Sequence, residues 1–190
     1  MDFEATKEIV SDTPILLILD LDETLAPAAE APLSREHDFK VGSYFVYQRP
    51  HLKEFLVACS ACFRLAIWST GTEAFVASVA ERIRPPTVEF AFVWGRSRCV
   101  QRYDPEKFEY YHVKDLKKIR RLGYRLERVL IVDDTPLKVQ RHFGNAVYML
   151  PFHGDAKDDS LPRLTRYLIS LHEVTNVRSL EKRGWSTNLF

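Results

Sequence analysis

The chain has 190 residues, 46% of them hydrophobic and 28% charged, which is enough for one full-sized core and too few for two. Its 27 Lys and Arg nearly balance its 26 Asp and Glu, so no global basic field favours nucleic acid and no acidic tail suggests a solvating arm. The N-terminal MDFEATKEIV alternates charges, no apolar run approaches the ~20 residues of a membrane span, and three cysteines are an odd count for a disulfide framework. These features predict one soluble domain over residues 1–190 in a reducing, cytoplasmic setting, with no membrane and no nucleic-acid partner. Its core is expected at about 14–175, with a C-terminal tail at about 176–190.

Taken in chain order, the first element is ILLIL (15–19), which runs straight into the acidic DLDETL. Continuous apolar character marks it as a strand buried on both faces. FKVGSYFVY (39–47) reads as a flap built from a strand pair, within a flap region of about residues 26–48. HLKEFLVACSA follows with helical spacing. Arg49 and Pro50 ahead of it are read as helix start and packing, and Cys59 and Cys62 as core packing, since no second CxxC or histidine pair accompanies them. RLAIW (64–68) is a second buried strand, TEAFVASVAERI a helix, and EFAFVW (89–94) a third buried strand. Arg96, Arg98 and Arg102 fall in a hairpin. YYHVKDLKKIRRLG (110–123) reads as a helix that carries Lys114 and ends at Gly123. RVLIV (128–132) and AVYML (146–150) complete five buried strands. A last helix, about Ser160 to Val174, has Ser160 as N-cap and Pro162 in its first turn. The order predicts an α/β fold: a doubly wound, mostly parallel five-stranded sheet with a small flap and a hairpin insertion.

In such sheets ligands bind outside the carboxyl ends of the strands. Asp20 and Asp22 follow the first strand, Ser69 and Thr70 the second, and Asp133 and Asp134 the fourth, so one edge collects acids, hydroxyls and, from Lys114, an amine. Each of these residue types also favours turns on its own; four carboxylates at two strand ends are harder to account for that way. Clustered carboxylates repel unless a cation joins them, and an all-oxygen set suits Mg²⁺, with phosphate as the anion to share it. An aspartate there can attack phosphorus, Ser69 and Lys114 can stabilise the charge that gathers, and Asp22 can protonate the leaving oxygen. His51, His112, His142, His153 and His172 are scattered without metal spacing or an obvious carboxylate partner, and are given no role.

DLDETL resembles the first motif of the haloacid dehalogenase superfamily, IWST the second, Lys114 the third and IVDDTP the fourth, in the same chain order. Within that superfamily, YFVYQRPHLKEFL, WGRSRC, HVKDLKKI, VLIVDDTP and NVRSLEK are similar to the small phosphatases of the RNA polymerase II C-terminal domain, the nuclear-LIM-interactor-interacting-factor type, over about residues 14–180. The resemblance implies a haloacid dehalogenase-like Rossmannoid fold. It makes Asp20 the nucleophile and Asp22 the general acid/base, which also lends its carbonyl to the metal. Thr24 would support the loop, Ser69 and Lys114 would bind the phosphoryl group with Thr70 beside them, and Asp133 and Asp134 would complete the Mg²⁺ site. Arg96 would stand at the substrate mouth. This chain has Ser69 and Thr70 where many eukaryotic members have Thr-Ala or Thr-Ser, Asp134 where they have Asn, and a longer run, PEKFEYY, before Lys114.

A receiver domain is excluded by order, because its acidic pair precedes the phosphoacceptor strand. A dehalogenase has no use for Asp22, and a phosphate-coupled transport ATPase would lack it. A nucleic-acid-end or small-molecule phosphatase and an inactive scaffold are the remaining alternatives. Neither insertion point has room for a cap, so the expected site is open and capless and admits a phosphorylated protein or peptide, with phosphoserine or phosphothreonine as first choice. The expected location is cytoplasmic, or nuclear in a eukaryote.

Overall fold

The computed structural model describes residues 13–186. β1 (Ile15–Leu19) is the ILLIL run, and every one of its side chains is buried. It is followed by β2 (Ala28–Ala29), β3 (Phe39–Val41) and β4 (Tyr44–Val46), which form a small antiparallel sheet in the order β2-β4-β3. The flap therefore has a third strand beyond the expected pair. Val41 pairs with Tyr44 across a two-residue turn in which Gly42 takes φ 60°, a left-handed conformation that glycine enters without Cβ strain.

The chain continues through α1 (Leu52–Ser60), β5 (Phe63–Trp68), α2 (Glu73–Ile83) and β6 (Phe90–Trp94). A short 3₁₀ turn, Arg96–Arg98, leads into the antiparallel hairpin β7 (Val100–Asp104) and β8 (Glu109–Val113). Then come α3 (Lys117–Arg121), β9 (Val129–Asp133), a kinked 3₁₀ segment Pro136–Asn145, β10 (Ala146–Tyr148) and α4 (Ser160–Ser170). The main sheet runs β10-β9-β1-β5-β6 with all pairings parallel, so the expected doubly wound five-stranded α/β sheet is present.

Successive strand residues face opposite sides, and β1 feeds two cores accordingly. Ile15, Leu17 and Leu19 pack with buried residues of α1, α2 and α4, while Leu16 and Ile18 pack with Ala66, Trp68, Ile131 and Ile119. A strand covered on both faces can be uniformly apolar, which is why ILLIL and VLIVD do not alternate.

Four expectations are corrected. The stretch expected as one helix over 110–123 is divided: Tyr110 to Val113 belong to β8, and only Lys117–Arg121 is helical. β7 supplies a full antiparallel partner for EYYHV, whose aromatic and β-branched residues suit a pleated surface. Lys114 thus follows a strand and is not carried by a helix. β6 is only partly buried, because it is the edge of the sheet and pairs with β5 alone. Arg96 and Arg98 lie in the 3₁₀ turn ahead of the hairpin, and only Arg102 is on it. α4 starts one residue earlier than expected for its cap: Asp159 is the N-cap, and the Asp158 carboxylate accepts hydrogen bonds from the Ser160 N–H (3.0 Å) and hydroxyl (3.2 Å). It also ends at Ser170, after which the Leu171 and Val174 N–H groups bond only three residues back.

Gly123, at φ 92°, follows α3 as expected. The expected C-terminal tail packs onto the core as far as it is described: Val177 and Trp185 are buried in the larger cluster, and the Trp185 indole N–H donates to the Tyr148 carbonyl at 2.7 Å. Residues 187–190 of that tail, and the charged N-terminal stretch to residue 12, lie outside the described residues. No described helix is long and apolar enough to cross a membrane. Cys59 is buried in α1, with its thiol pushed up to about 12 by burial, as suits a packing residue.

Candidate active site

β1 and β9 are hydrogen-bonded neighbours, and the ladder extends to Asp20, whose N–H donates to the Val132 carbonyl at 3.0 Å. Asp20 and Asp133 consequently leave adjacent strand ends side by side, and Asp134 follows. One carboxylate oxygen from each of Asp20, Asp133 and Asp134 lies within 4.8 Å of the others, the one such potential metal-binding group among the described residues. Asp20 and Asp133 are fully buried and Asp134 nearly so.

Lys114 is brought to these acids by the backbone just past β8, where its N–H donates to the Lys138 carbonyl at 2.7 Å. Its Nζ, completely buried, lies 2.6 Å from Asp20 Oδ1 and 2.6 Å from Asp133 Oδ2. Burial alone would raise the pKa of Asp20, but the charges of Lys114 and Lys138 outweigh it and hold the carboxyl below its usual range. Asp133 is pushed up to about 6, because burial and the neighbouring Asp20 charge exceed what Lys114 returns. Burial opposes the charge on Lys114, yet Asp133 and Asp20 together raise its pKa and keep the ammonium.

The loop after β1 is built by its own backbone. The N–H groups of Leu25 and Ala26 turn back to the Leu21 carbonyl at 2.8 and 2.9 Å, and Glu23 sits at φ 56°. Thr24, buried at the centre of the loop, directs its hydroxyl to Asp20 Oδ2 (3.2 Å) and Asp134 Oδ1 (3.4 Å). Arg49 holds the loop from outside. Its guanidinium donates to the Thr24 carbonyl, to the Leu150 carbonyl and, in a two-pronged pair at 2.9 Å each, to Asp158. Arg49 is thus a packing residue of a particular kind, a buried ion that joins the loop to the start of α4.

Asp22 is exposed, and its Oδ1 accepts the Ala28 N–H at 3.4 Å. The protein atoms crowded around it, and then the Asp20 charge, raise its pKa. A groove of about 270 Å³ opens here, lined by Asp22, Ser69, Arg96, Tyr44 and Phe75 among others. Ser69 is buried at the end of β5, and its Oγ accepts the Gly71 N–H at 3.2 Å. Arg96 donates its Nε–H to the Thr70 carbonyl at 2.8 Å, so Thr70 contributes backbone to the rim. A larger surface hollow, about 410 Å³ along α2 and β6, is lined by Ala80, Arg84, Phe90 and Val93 and contains none of these groups.

Two features were absent from the sequence reading. Lys138, in the 3₁₀ segment, lies within 4 Å of all three clustered acids; a lone lysine in TPLK carries no signal beyond its closeness to Asp133 and Asp134. His142, expected to have no carboxylate partner, is buried with its Nε2 2.9 Å from Asp115 Oδ1. The two are 27 residues apart, and no local pattern joins them.

The acids at the carboxyl ends of adjacent parallel strands, the lysine brought to them from the end of the β7–β8 hairpin, the flap after β1 and the order of the strands define a haloacid dehalogenase-like protein. The solved structure of the fission yeast RNA polymerase II CTD phosphatase Fcp1 bound to beryllium fluoride has the same fold: the TM-score is 0.54 at 19% identity, covering 87% of this chain and 52% of that one. Residues 15–178 match the NLI interacting factor-like phosphatases, and the chain belongs to that family. Among its relatives are the human carboxy-terminal domain RNA polymerase II polypeptide A small phosphatase 1, 30% identical over 87% of this chain and 62% of the relative, and Phosphatase Herzog of Drosophila melanogaster, 29% identical over 86% and 46%. A third, the nuclear envelope morphology protein 1 of Schizosaccharomyces pombe, is 27% identical over 86% of this chain and 34% of its own. The chain thus spans between about a third and three fifths of the lengths of these relatives.

Proposed function

We propose that this chain is a single phosphatase domain that hydrolyses phosphoserine or phosphothreonine in protein through an aspartyl-phosphate on Asp20, with Mg²⁺ as cofactor. The observation that carries the reading is Asp20 itself, fixed at the end of β1 between Lys114 and the acids of β9. The donor set fits the ion: three carboxylates and no nitrogen or sulfur suit a small hard cation. Asp20, Asp133 and Asp134 would hold it, with the Asp22 carbonyl, and when bound it would offset the repulsion between carboxylate and phosphoryl oxygens.

The chain's own groups then divide the work. Asp20 attacks phosphorus as its P–O bond to the substrate breaks, and Asp22 gives its proton to the departing alkoxide. Water then cleaves the aspartyl-phosphate, losing its proton to Asp22. Lys114 and Ser69 are assigned to the phosphoryl oxygens, Thr24 to the loop, and Thr70 and Arg96 to the rim. The raised pKa of Asp22 supports the acid role, since it extends the protonated form to higher pH than for an ordinary aspartate.

A protein substrate is favoured by access. Among the described residues, the insertion after β1 is only the three-stranded flap, and the one between β5 and Lys114 is α2, β6 and a hairpin, so nothing covers the groove. The relative and the structural neighbour named as phosphatases of the RNA polymerase II C-terminal domain favour the same substrate class. A nuclear site of action is favoured over a cytoplasmic one by the relative named for the nuclear envelope.

Phosphate release from a panel of phosphopeptides, sugar phosphates and nucleotides, with and without EDTA, tests the reading. Wild type should prefer phosphopeptides and lose activity in EDTA until Mg²⁺ is restored. Asp20→Asn should fold and lose at least about 10³ of kcat, the order expected when a nucleophile is removed. A sugar phosphate or nucleotide that exceeds every phosphopeptide tenfold in kcat/KM would replace the substrate class, and near-normal turnover by Asp20→Asn would overturn the mechanism.

A further inference from the structure

The two lysines of the site divide the carboxylate oxygens between them. Lys114 takes Asp20 Oδ1 and Asp133 Oδ2, each at 2.6 Å. Lys138 faces the others: Asp134 Oδ1 at 3.3 Å, Asp20 Oδ2 at 3.5 Å and Asp133 Oδ1 at 3.9 Å. One ammonium group therefore faces one oxygen from each of the three acids that could share an ion.

The two lysines also differ in how they are held. Lys114 is entirely enclosed and its contacts are short. The Lys138 side chain is 19% exposed and its contacts are long, although its backbone is pinned by the Lys114 N–H on its carbonyl and by its own N–H on the Thr135 carbonyl (3.0 Å). A fixed root, a flexible four-carbon stem and loose contacts describe a charge that can leave its place without disturbing the fold. A divalent ion bound at about 2 Å from oxygens of these acids would repel an ammonium lying so close to the same atoms.

We propose that Lys138 is a tethered cation that keeps the seat among Asp20, Asp133 and Asp134 until a divalent metal displaces it, so that metal loading is an exchange of one cation for another. The proposal rests on the metal reading given above and adds to it a residue that sets the metal affinity. It has two consequences of opposite sign. Without metal, Lys138 offsets repulsion among three acids that only Lys114 would otherwise oppose, and so stabilises the protein. With metal, the same charge must be expelled, and so weakens binding.

Calorimetric titration of MgCl₂ and MnCl₂ into wild type and Lys138→Met, with thermal melts of both in EDTA, reads the two consequences separately. Lys138→Met should bind metal about tenfold more tightly, equivalent to ~1.4 kcal/mol, and should melt at a lower temperature in EDTA. Equal or weaker metal binding by the variant, or an unchanged melt in EDTA, would overturn the exchange while leaving the metal reading in place. Absence of metal binding to both proteins would overturn both. A second measurement needs no variant: reductive methylation of wild type, followed residue by residue by mass spectrometry. Labelling of Lys138, relative to the exposed Lys53, should rise severalfold when Mg²⁺ is added, while Lys114 stays protected. A Lys138 rate that Mg²⁺ leaves unchanged or lowers would also overturn it.

Discussion

Asp20 and Asp22 are two residues apart and live in different surroundings. Asp20 is enclosed and held ionised by two lysines, whereas Asp22 faces the groove with its pKa raised by crowding and by the Asp20 charge. One is suited to attack and the other to carry a proton. Asp22→Asn should therefore lower kcat by about 10² or more on an alkyl phosphopeptide, whose leaving group needs a proton, and by far less on p-nitrophenyl phosphate. Because a raised pKa extends the protonated form to higher pH, wild-type kcat on the alkyl substrate should fall as pH rises through that value. The fall should be missing in Asp22→Asn. Equal losses on both substrates would make Asp22 a structural residue. At this scale the placement of the candidate residues was legible in advance, since Asp20, Asp22, Ser69, Asp133 and Asp134 each follow an apolar run that reads as a buried strand. Lys138 and the Asp115 and His142 pair were not, because their partners are brought together by the kinked 3₁₀ segment, which has no simple period to read.

The elements around the site act through a few junctions. Arg49, ahead of α1, is buried, and its partner Asp158 lies just before α4. Burial disfavours the charged form of Asp158, but the hydrogen bonds from Arg49 and Ser160 outweigh it and hold the pKa below the usual carboxylate value. A carboxylate so lowered contributes its stability fully above the unfolded value of about 3.9 and loses it as the pH falls through the lower folded value. Asp158→Asn should therefore cost about 2–3 kcal/mol at pH 7 by urea denaturation, and the difference from wild type should shrink as acidification carries the pH down through the lowered folded value. A pH-independent difference would mean that the pair matters for shape and not for charge. Arg96 works at the groove: Arg96→Ala should raise KM for an acidic phosphopeptide several-fold and leave KM for a small aryl phosphate nearly unchanged. A matching rise on both would assign it to the phosphoryl group itself. The strand elements could be read from sequence because two-sided burial leaves an unbroken apolar signature. The hairpin was expected around Arg102, but its second strand β8 was read as helix, since its Tyr, His and Val residues fit a helical period as well as a strand, and only the partner strand decides.

Over the whole molecule, β1 is the seam between the two cores and the support of Asp20, the proposed nucleophile. Leu17 is fully buried at its centre, paired with Leu65 on one side and Leu130 on the other. Leu17→Ala should cost about 3–4 kcal/mol in urea denaturation. A loss below about 1 kcal/mol would mean that the neighbouring layers close over the gap.

The Arg49 junction also sets a timetable. Its guanidinium needs the Thr24 carbonyl, the Leu150 carbonyl and the Asp158 carboxylate, and the last of these is 109 residues further along the chain. During synthesis the first strand, its acidic loop and α1 emerge long before the group that neutralises Arg49 exists. A nascent chain stopped short of Asp158 holds the loop's own backbone bonds and every proposed catalytic side chain, but lacks the counter-ion of Arg49 that ties the loop to the start of α4.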